Sequence, residues 1–156
     1  MNFIDKKLEQ YSLSKSSGVS SICEEINHFT QQNLSMPQMI TGPMEASFLG
    51  FLIKSLNVKK ILEIGTFSGY STLAMAESMD QDGKVITIDI NEDTTKVAQD
   101  FWNKSAHGFK IHAIIGKAKE KINELDEFFD LIFIDADKEN YLDYFKMSLE
   151  KLNDKG

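Results

Sequence analysis

From Lys59 onward the chain alternates short apolar runs with amphipathic segments, and this alternation restricts the fold more than any other feature. Four runs have the pattern of strands: KKILEIG (59–65), KVITIDI (84–90), FKIHAIIG (109–116) and FDLIFIDA (129–136). The segments that follow them have helical periodicity: 70–79, 92–106, 118–125 and 140–152. Apolar strands separated by helices indicate a parallel sheet that helices cover on both faces. We therefore predict an α/β fold with a doubly wound, Rossmann-like parallel sheet.

The first 57 residues predict a helical extension in front of this core. Helical patterns cover residues 16–33 and 43–56, and Pro43 suits the first turn of the second helix, with Thr41 near its cap. At the other end, the NDKG stretch looks like the end of a helix at Gly156. A length of 156 residues fits a single domain, made of the extension (1–57) and an α/β core (58–156).

Charge and cysteine content exclude several classes of function. A net charge of −7 argues against a general nucleic-acid or anionic-membrane binder, because either needs a basic face. All seventeen basic residues are lysine, so lysine or backbone N–H groups would hold an anion, without a guanidinium clamp. The single cysteine, Cys23, excludes an internal disulfide and a multi-cysteine metal site, and its neighbours predict a buried helical thiol. The sequence has no membrane-length apolar run and no signal peptide, so the expectation is a cytoplasmic protein.

The stretch LEIGTFSGYS (62–71) combines a strand end, a turn framed by two glycines and a helix start. Gly65 permits an unusual backbone angle and lets a ligand approach the main chain closely. Glu63 can accept hydrogen bonds from such a ligand, while Ser71 and the first N–H groups of the helix can donate to a carboxylate or a phosphate. The alternative interpretation is a plain tight turn between a strand and a helix.

Asp89 ends the next strand, about twenty residues beyond the glycine loop, where doubly wound folds place an acid that binds two ribose hydroxyls. The alternative is a helix N-cap, since DINEDT precedes a helix. The spacing Gly65-x-x-x-Gly69 differs from the dinucleotide fingerprint. An acid two residues before the first glycine suits an ammonium or sulfonium group better than a pyrophosphate. S-adenosylmethionine carries both positive groups and a ribose, so we predict it as the ligand.

The fourth strand ends in LIFIDADKENY (131–141), where an apolar run gives way to charged residues. Ligands of open α/β sheets bind beyond the carboxyl ends of the strands. Asp135 stands at such an end as a hard oxygen donor suited to Mg²⁺, Mn²⁺ or Ca²⁺. A divalent ion would lower the pKa of two adjacent hydroxyls, and Lys138 would then take the proton. For Asp137 and Glu139 the alternative is a pair of solvated charges that open the last helix.

Three stretches, ILEIGTFSGYSTLAMAESMDQDGKVITIDIN, FWNKSAHGFKI and FDLIFIDADKENYLDYF, resemble the cation-dependent O-methyltransferases. This is the family of caffeoyl-CoA O-methyltransferase and its bacterial relatives, with catechol O-methyltransferase as a distant cousin. The resemblance implies S-adenosylmethionine and a divalent cation as cofactors, a small hydroxylated aromatic acceptor of the catechol or vicinal-diol type, and a homodimer. It assigns the metal to Asp135 and proton abstraction to Lys138. It assigns the cofactor to Thr41, Glu63, Gly65, Thr66, Ser71, Asp89, Ala118 and Asp135.

Members of this family continue with a glycine-rich turn and a strand ending in Asp-Asn, so the resemblance also implies a chain without its C-terminal strands. We expect such a chain to hold a divalent ion weakly through Asp135, even with Thr41 nearby, and to leave the fourth strand as an apolar edge. The resulting prediction is an S-adenosylmethionine-dependent, metal-assisted O-methyltransferase. Two alternatives stay open: a shortened protein that binds the cofactor or dimerises without turnover, and an NAD(P)-dependent oxidoreductase.

Overall fold

The computed structural model describes residues 5–156 and confirms the predicted fold class. Its centre is a parallel four-stranded sheet with the order β3-β2-β1-β4. The strands are β1 (Lys60–Ile64), β2 (Lys84–Asp89), β3 (Ile111–Ile115) and β4 (Leu131–Ile134). Within the described residues β4 has a strand neighbour on one side only, so it forms an edge of the sheet. The strand order reverses between β1 and β4, and this switch point is where ligands of doubly wound folds bind.

Helices cover both faces of the sheet. The described part of the chain contains α1 (Lys6–Lys15), α2 (Ser21–Asn33), α3 (Pro43–Leu56), α4 (Tyr70–Ser78), α5 (Glu92–Trp102), α6 (Ala118–Glu124) and α7 (Tyr141–Leu149). On one face, α3 and α4 form a core through Leu49, Ile53 and Met75. On the other face, α6 and α7 contribute Ile122 and Tyr144. None of the described helices is long and apolar enough to cross a membrane.

The central strands are mostly apolar because both of their faces are buried. Successive side chains of a strand point to opposite faces. Ile61 and Val85 accordingly belong to the core under α3 and α4, whereas Leu62 and Ile86 belong to the core under α6 and α7. The outer strands β3 and β4 are less buried. The prediction of strands buried on both faces therefore applies best to β1 and β2.

The N-terminal helices differ from the prediction. The predicted helix 16–33 begins only at Ser21, and residues 16–20 separate it from α1, which lies outside the predicted helices. Ser20 caps α2, because its hydroxyl accepts a hydrogen bond from the backbone N–H of Cys23 (3.2 Å). Cys23 itself is fully buried, as predicted, and burial raises the pKa of its thiol to about 12. The helix α3 spans 43–56 as predicted, with Gly42 as its N-cap.

The chain after α7 leaves the helix, and the predicted continuation to the last residue is wrong. The helix ends at Leu149, and Leu152 then pairs with Phe129 in an isolated parallel bridge. The backbone N–H of Phe129 donates to the carbonyl oxygen of Lys151 (2.9 Å), and that of Asn153 donates to the carbonyl oxygen of Phe129 (2.9 Å). This pairing draws the backbone toward the segment before β4 and out of the helical conformation.

Candidate functional site

The turn between β1 and α4 is shaped by two glycines with positive φ, Gly65 (101°) and Gly69 (78°). A Cβ atom on Gly65 would collide with the carbonyl oxygen of Asp135, because the ends of β1 and β4 lie side by side. A Cβ atom on Gly69 would come within 2.5 Å of the Trp102 ring, whose Nε1–H donates to the carbonyl oxygen of Gly69 (2.9 Å). Both positions therefore require glycine, and the loop is fixed between β4 and α5.

Glu63 lies beneath this glycine loop as a fully buried acid. Its Oε1 accepts a hydrogen bond from Ser71 (2.5 Å), and its Oε2 accepts hydrogen bonds from Thr87 (2.6 Å) and Thr72. Burial raises the pKa of Glu63 to about 7, while the three hydroxyl donors act in the opposite direction. Thr66 adds a fourth hydroxyl, 2.6 Å from that of Thr87. The acid thus orients the hydroxyl groups of the loop and of α4 from below.

Asp89, at the end of β2, holds the loop by its backbone. Its Oδ2 accepts hydrogen bonds from the N–H groups of Thr66 (2.8 Å) and Phe67 (2.9 Å), and its Oδ1 accepts one from the N–H of Asn91 (2.8 Å). Phe67 has a positive φ of 49°, which a non-glycine residue keeps only when its surroundings hold it there. The N-cap of α5 is Asn91, so capping does not account for Asp89. The half-buried carboxylate still has acceptor capacity for a ligand.

A cavity of about 350 Å³ opens beside the loop, at the switch point between β1 and β4. Six predicted site residues line it: Thr41, Gly65, Thr66, Ser71, Asp135 and Lys138. Glu63 and Asp89 do not line the cavity themselves, but Glu63 accepts a hydrogen bond from Ser71 and Asp89 accepts one from the backbone N–H of Thr66, both of which line it. Ala118 lies at the start of α6, where it packs, partly buried, against the core under α6 and α7. The structure thus brings together most of the predicted site and leaves Ala118 apart.

Three charged side chains meet in this cavity: Glu45 from the first turn of α3, and Asp135 and Lys138 from the segment after β4. Desolvation by the cavity walls raises the pKa of Asp135, and Lys138 acts in the opposite direction. Desolvation also raises the pKa of Glu45, and the charge of Asp135 adds to that shift. Neither carboxylate has a hydrogen bond or an ion pair with a residue that the structure describes. With two acids and one lysine, the charged side chains of the lining carry a formal net negative charge, which suits a cation.

Asp137, the second acid of the DADK segment, is already engaged within the protein. Its carboxylate accepts hydrogen bonds from the hydroxyl of Tyr144 (2.6 Å) and from the side-chain amide of Asn140. The Tyr144 hydroxyl is the main reason that the pKa of Asp137 is lowered. Glu139 is exposed and lies outside the cavity lining. Both acids therefore fit the alternative of charges at the start of the last helix.

Several cavity residues were not predicted from the sequence. Besides Glu45 they are Gln38, Met39, Ile40, Phe67, Ser68, Tyr70 and Ala136. Ser68 is 1 % exposed, and its hydroxyl has no hydrogen-bond partner among the described residues. Such a hydroxyl beside a cavity calls for a partner from outside the chain. In the sequence, only the position of Ser68 inside the glycine loop GTFSGYS indicates that it lies at the cavity. Nothing marks Glu45 as a cavity residue, because acids are common in the first turn of a helix.

The donor set of the cavity fits a divalent cation that keeps part of its water shell. Asp135 and Glu45 offer carboxylates, and Thr41, which is 7 % exposed, offers a hydroxyl with no hydrogen bond to another described residue. The described residues contain no group of three His, Cys, Asp or Glu side chains that could hold a metal. Mg²⁺ is commonly bound through one or two carboxylates and several waters, so oxygen donors of this number suit it.

A larger hollow of about 640 Å³ lies between α1, α3 and α4. Its lining consists mainly of serine and apolar side chains, with Lys15, Lys54 and Glu77 as the charged members. None of the predicted site residues lines it. The chemistry-bearing residues of the chain therefore gather at the smaller cavity.

Comparison with known proteins points to one family. A family model described as "O-methyltransferase" matches residues 13–156. The chain is 34 % identical over 151 residues to probable caffeoyl-CoA O-methyltransferase 1 of Dictyostelium discoideum, covering 94 % of this chain and 66 % of that protein. It is 39 % identical over 117 residues to caffeoyl-CoA O-methyltransferase 1 of Eucalyptus globulus, covering 72 % of this chain and 48 % of that protein. The chain thus spans less than two thirds of the length of these relatives.

Solved structures share the architecture. An SAH-bound methyltransferase from Podospora anserina superposes with a TM-score of 0.90 at 26 % identity, covering 100 % of this chain and 69 % of that one. An O-methyltransferase from Bacillus cereus in complex with SAH superposes with a TM-score of 0.85 at 30 % identity, covering 94 % of this chain and 68 % of that one. The cavity therefore lies in a fold that SAH-bound proteins share.

Proposed function

The chain belongs to the O-methyltransferase family, and we propose that it transfers the methyl group of S-adenosylmethionine to a hydroxyl group of a small acceptor. The observation that carries the proposal is the cavity at the switch point, where the glycine loop meets two carboxylates and a lysine. Family membership argues against the NAD(P)-dependent alternative, and so does the spacing of Gly65 and Gly69.

The residues around the loop suit the parts of this cofactor, which supplies an electrophilic methyl group on a sulfonium. The first N–H groups of α4, including that of Ser71, can hold its carboxylate, and Gly65 lines the cavity beside them. Thr66 also lines the cavity. The remaining acceptor capacity of Asp89 suits the ribose hydroxyls. For the adenine, the family resemblance assigns Ala118.

We further propose a small hydroxylated aromatic acceptor of the catechol or vicinal-diol type, because relatives of the chain are named caffeoyl-CoA O-methyltransferases. Lys138 lines the cavity and would accept the proton of the reacting hydroxyl. A divalent cation (Mg²⁺, Mn²⁺ or Ca²⁺) held by Asp135 would lower the pKa of that hydroxyl. Holding the acceptor oxygen in line with the methyl group is then the main task of the cavity walls.

Other parts of the proposal rest on composition and resemblance alone. They are a homodimer, a cytoplasmic location, the absence of nucleic-acid and membrane partners, and the division into an extension (1–57) and a core (58–156). The non-catalytic alternative, a chain that binds the cofactor without turnover, shares the cofactor site with this proposal and differs in the acceptor step.

Methyl transfer to a catechol tests the proposal. The chain is incubated with S-adenosylmethionine, Mg²⁺ and 3,4-dihydroxybenzoate, and mass spectrometry quantifies the mono-methylated product. We expect product from the unmodified chain and a strong loss with Lys138→Met. The control Lys146→Met changes an exposed lysine of α7 outside the cavity lining and should leave the rate unchanged. SAH binding without product would favour the non-catalytic alternative, and NAD binding without SAH binding would favour the oxidoreductase.

A further inference from the structure

We propose that Thr87, a buried residue of β2, is a positioning residue for the cofactor site. Its hydroxyl fixes Thr66 in the glycine loop and makes the hydroxyl oxygen of Thr66 an acceptor for a positively charged N–H group of the ligand. The inference rests on the proposed function, because S-adenosylmethionine carries such a group, an ammonium, in its amino-acid part. Thr87 itself is 0 % exposed and does not line the cavity. The family resemblance gives it no role.

The strand β2 holds Thr66 at two points. The backbone N–H of Thr66 donates to Asp89 (2.8 Å), and its hydroxyl oxygen lies 2.6 Å from that of Thr87. Thr87 and Asp89 are two positions apart in β2, so their side chains lie on the same side of the strand. Thr66 itself lies between Gly65 and Phe67, which both have a positive φ (101° and 49°). Because a non-glycine residue such as Phe67 keeps this conformation only where its surroundings hold it, the contacts of Thr66 help to fix the loop.

The hydrogen atoms of these hydroxyl groups can be assigned one by one. An ionised carboxylate only accepts hydrogen bonds, and a hydroxyl group has one hydrogen to donate. Thr87 donates its hydrogen to Oε2 of Glu63 (2.6 Å), so in its contact with Thr66 it must accept. The hydroxyl hydrogen of Thr66 therefore points to Thr87, and a ligand can bind the Thr66 oxygen only as a hydrogen-bond donor.

The hydroxyl of Ser71 has the same polarity. It donates to Oε1 of Glu63 (2.5 Å), so its oxygen also keeps only acceptor capacity. This differs from the sequence-based expectation that the Ser71 side chain donates to a carboxylate or a phosphate, and it leaves that task to the backbone N–H groups of α4. Both Thr66 and Ser71 line the cavity. Two acceptor hydroxyls linked to one buried carboxylate suit an ammonium group better than an anion.

The competing role for Thr87 is purely structural, as one of the hydrogen-bond donors that a buried acid requires. Glu63 is fully buried, and the hydroxyl of Thr72 also donates to it. In the structural role, loss of the Thr87 hydroxyl lowers the free energy of unfolding and leaves recognition of the ammonium unchanged. The two roles therefore differ in how well the chain distinguishes SAH from desamino-SAH, the analogue in which a hydrogen atom replaces the amino group.

Calorimetric titration of the full chain with SAH and with desamino-SAH at pH 8 tests the inference, because Glu63, with a pKa of about 7, is mainly ionised at that pH. We expect the unmodified chain to bind SAH at least about tenfold more tightly than desamino-SAH, as hydrogen bonds to a charged group predict. Thr87→Val keeps nearly the same side-chain shape without the hydroxyl and should lower this affinity ratio at least about threefold. Thr87→Ser retains the hydroxyl and should restore the ratio.

Thr30→Val is the matched control. Thr30 is also 0 % exposed, and its hydroxyl donates to the carbonyl oxygen of Ile26 in α2 (2.7 Å), outside the cavity lining. This variant should keep the affinity ratio of the unmodified chain. Urea denaturation checks that each variant is folded and measures the stability that it has lost.

An unchanged affinity ratio in Thr87→Val, or a ratio that Thr87→Ser does not restore, would overturn the inference and leave Thr87 with the structural role. Equal affinities of the unmodified chain for the two ligands would also overturn it, because the ammonium would then have no acceptor in the site. In these cases SAH still binds, so the proposed function stands. Absence of SAH binding by the folded, unmodified chain would contradict the proposed function and the inference together.

Discussion

Replacing the buried acid Glu63 by glutamine should change how the stability of the chain depends on pH. Glu63 is fully buried and accepts hydrogen bonds from Ser71, Thr72 and Thr87. Glutamine has the same shape and can keep these contacts, because hydroxyl groups both donate and accept. What it cannot do is ionise. The substitution Glu63→Gln therefore removes one titration and little of the packing.

The sign and size of the effect follow from the pKa of Glu63. Burial raises it from 4.5 to about 7, so between these pH values the folded chain binds one more proton than the unfolded chain. The stability that the neutral acid contributes is fully present below pH 4.5 and is lost as the pH rises through 7. One pKa unit corresponds to about 1.4 kcal/mol, so the free energy of unfolding should fall by about 2 kcal/mol between roughly pH 5.5 and roughly pH 7 through Glu63 alone.

Urea denaturation at several pH values measures this effect, and the single tryptophan, Trp102, gives a buried fluorescence probe. The quantity of interest is the difference between the unmodified chain and Glu63→Gln, since other titrating groups are common to both. We expect the variant to gain about 2 kcal/mol relative to the unmodified chain across that range. The exposed substitution Glu139→Gln should show no such gain. Parallel pH profiles of the unmodified chain and Glu63→Gln would show that Glu63 is ionised throughout and refute the reasoning.

Three further substitutions test contacts around the loop and in α4. Trp102→Phe removes the N–H that donates to the Gly69 carbonyl oxygen. It should lower the free energy of unfolding, measured in urea, by about 1 kcal/mol and weaken SAH binding. An unchanged SAH affinity would contradict a role of Trp102 in shaping the loop. The Nζ of the buried Lys110 donates to the carbonyl oxygens of Ala76 (3.0 Å) and Met79 (2.8 Å) at the end of α4. Lys110→Met removes this donor and should lower the free energy of unfolding in urea by about 1–3 kcal/mol, while the SAH affinity stays the same. Gly65→Ala drives a Cβ into the carbonyl after β4 and should abolish SAH binding in calorimetry, whereas Gly18→Ala, which meets open space, should not.

The fold could be predicted where one local pattern decides it, and not where a distant partner decides it. The strands β1 and β2 fall inside the predicted runs because both of their faces are buried and most of their residues are apolar. Leu152 fits the period of α7, yet its pairing with Phe129 takes it out of the helix. The helix α2 begins where the hydroxyl of Ser20 accepts a hydrogen bond from the N–H of Cys23. Ser16, Ser17 and Ser21 lie close by in the sequence and are equally suitable N-caps by residue type, so the sequence did not indicate which serine caps the helix.

The candidate site divides in the same way. Asp135 and Lys138 could be predicted because they directly follow an apolar strand, at the edge where parallel sheets bind ligands. Glu63 was expected to face the ligand, but the register sets it opposite Thr87, and the start of α4 covers it. Glu45 reaches the cavity from another helix, and nothing in its sequence neighbourhood reports that approach.

Calorimetric titration of the unmodified chain with SAH tests most directly whether the cavity beside the glycine loop is a cofactor site. We predict saturable binding of one SAH per chain and no binding of NAD under the same conditions. Absence of SAH binding by a folded chain would contradict the assignment of the cavity to S-adenosylmethionine.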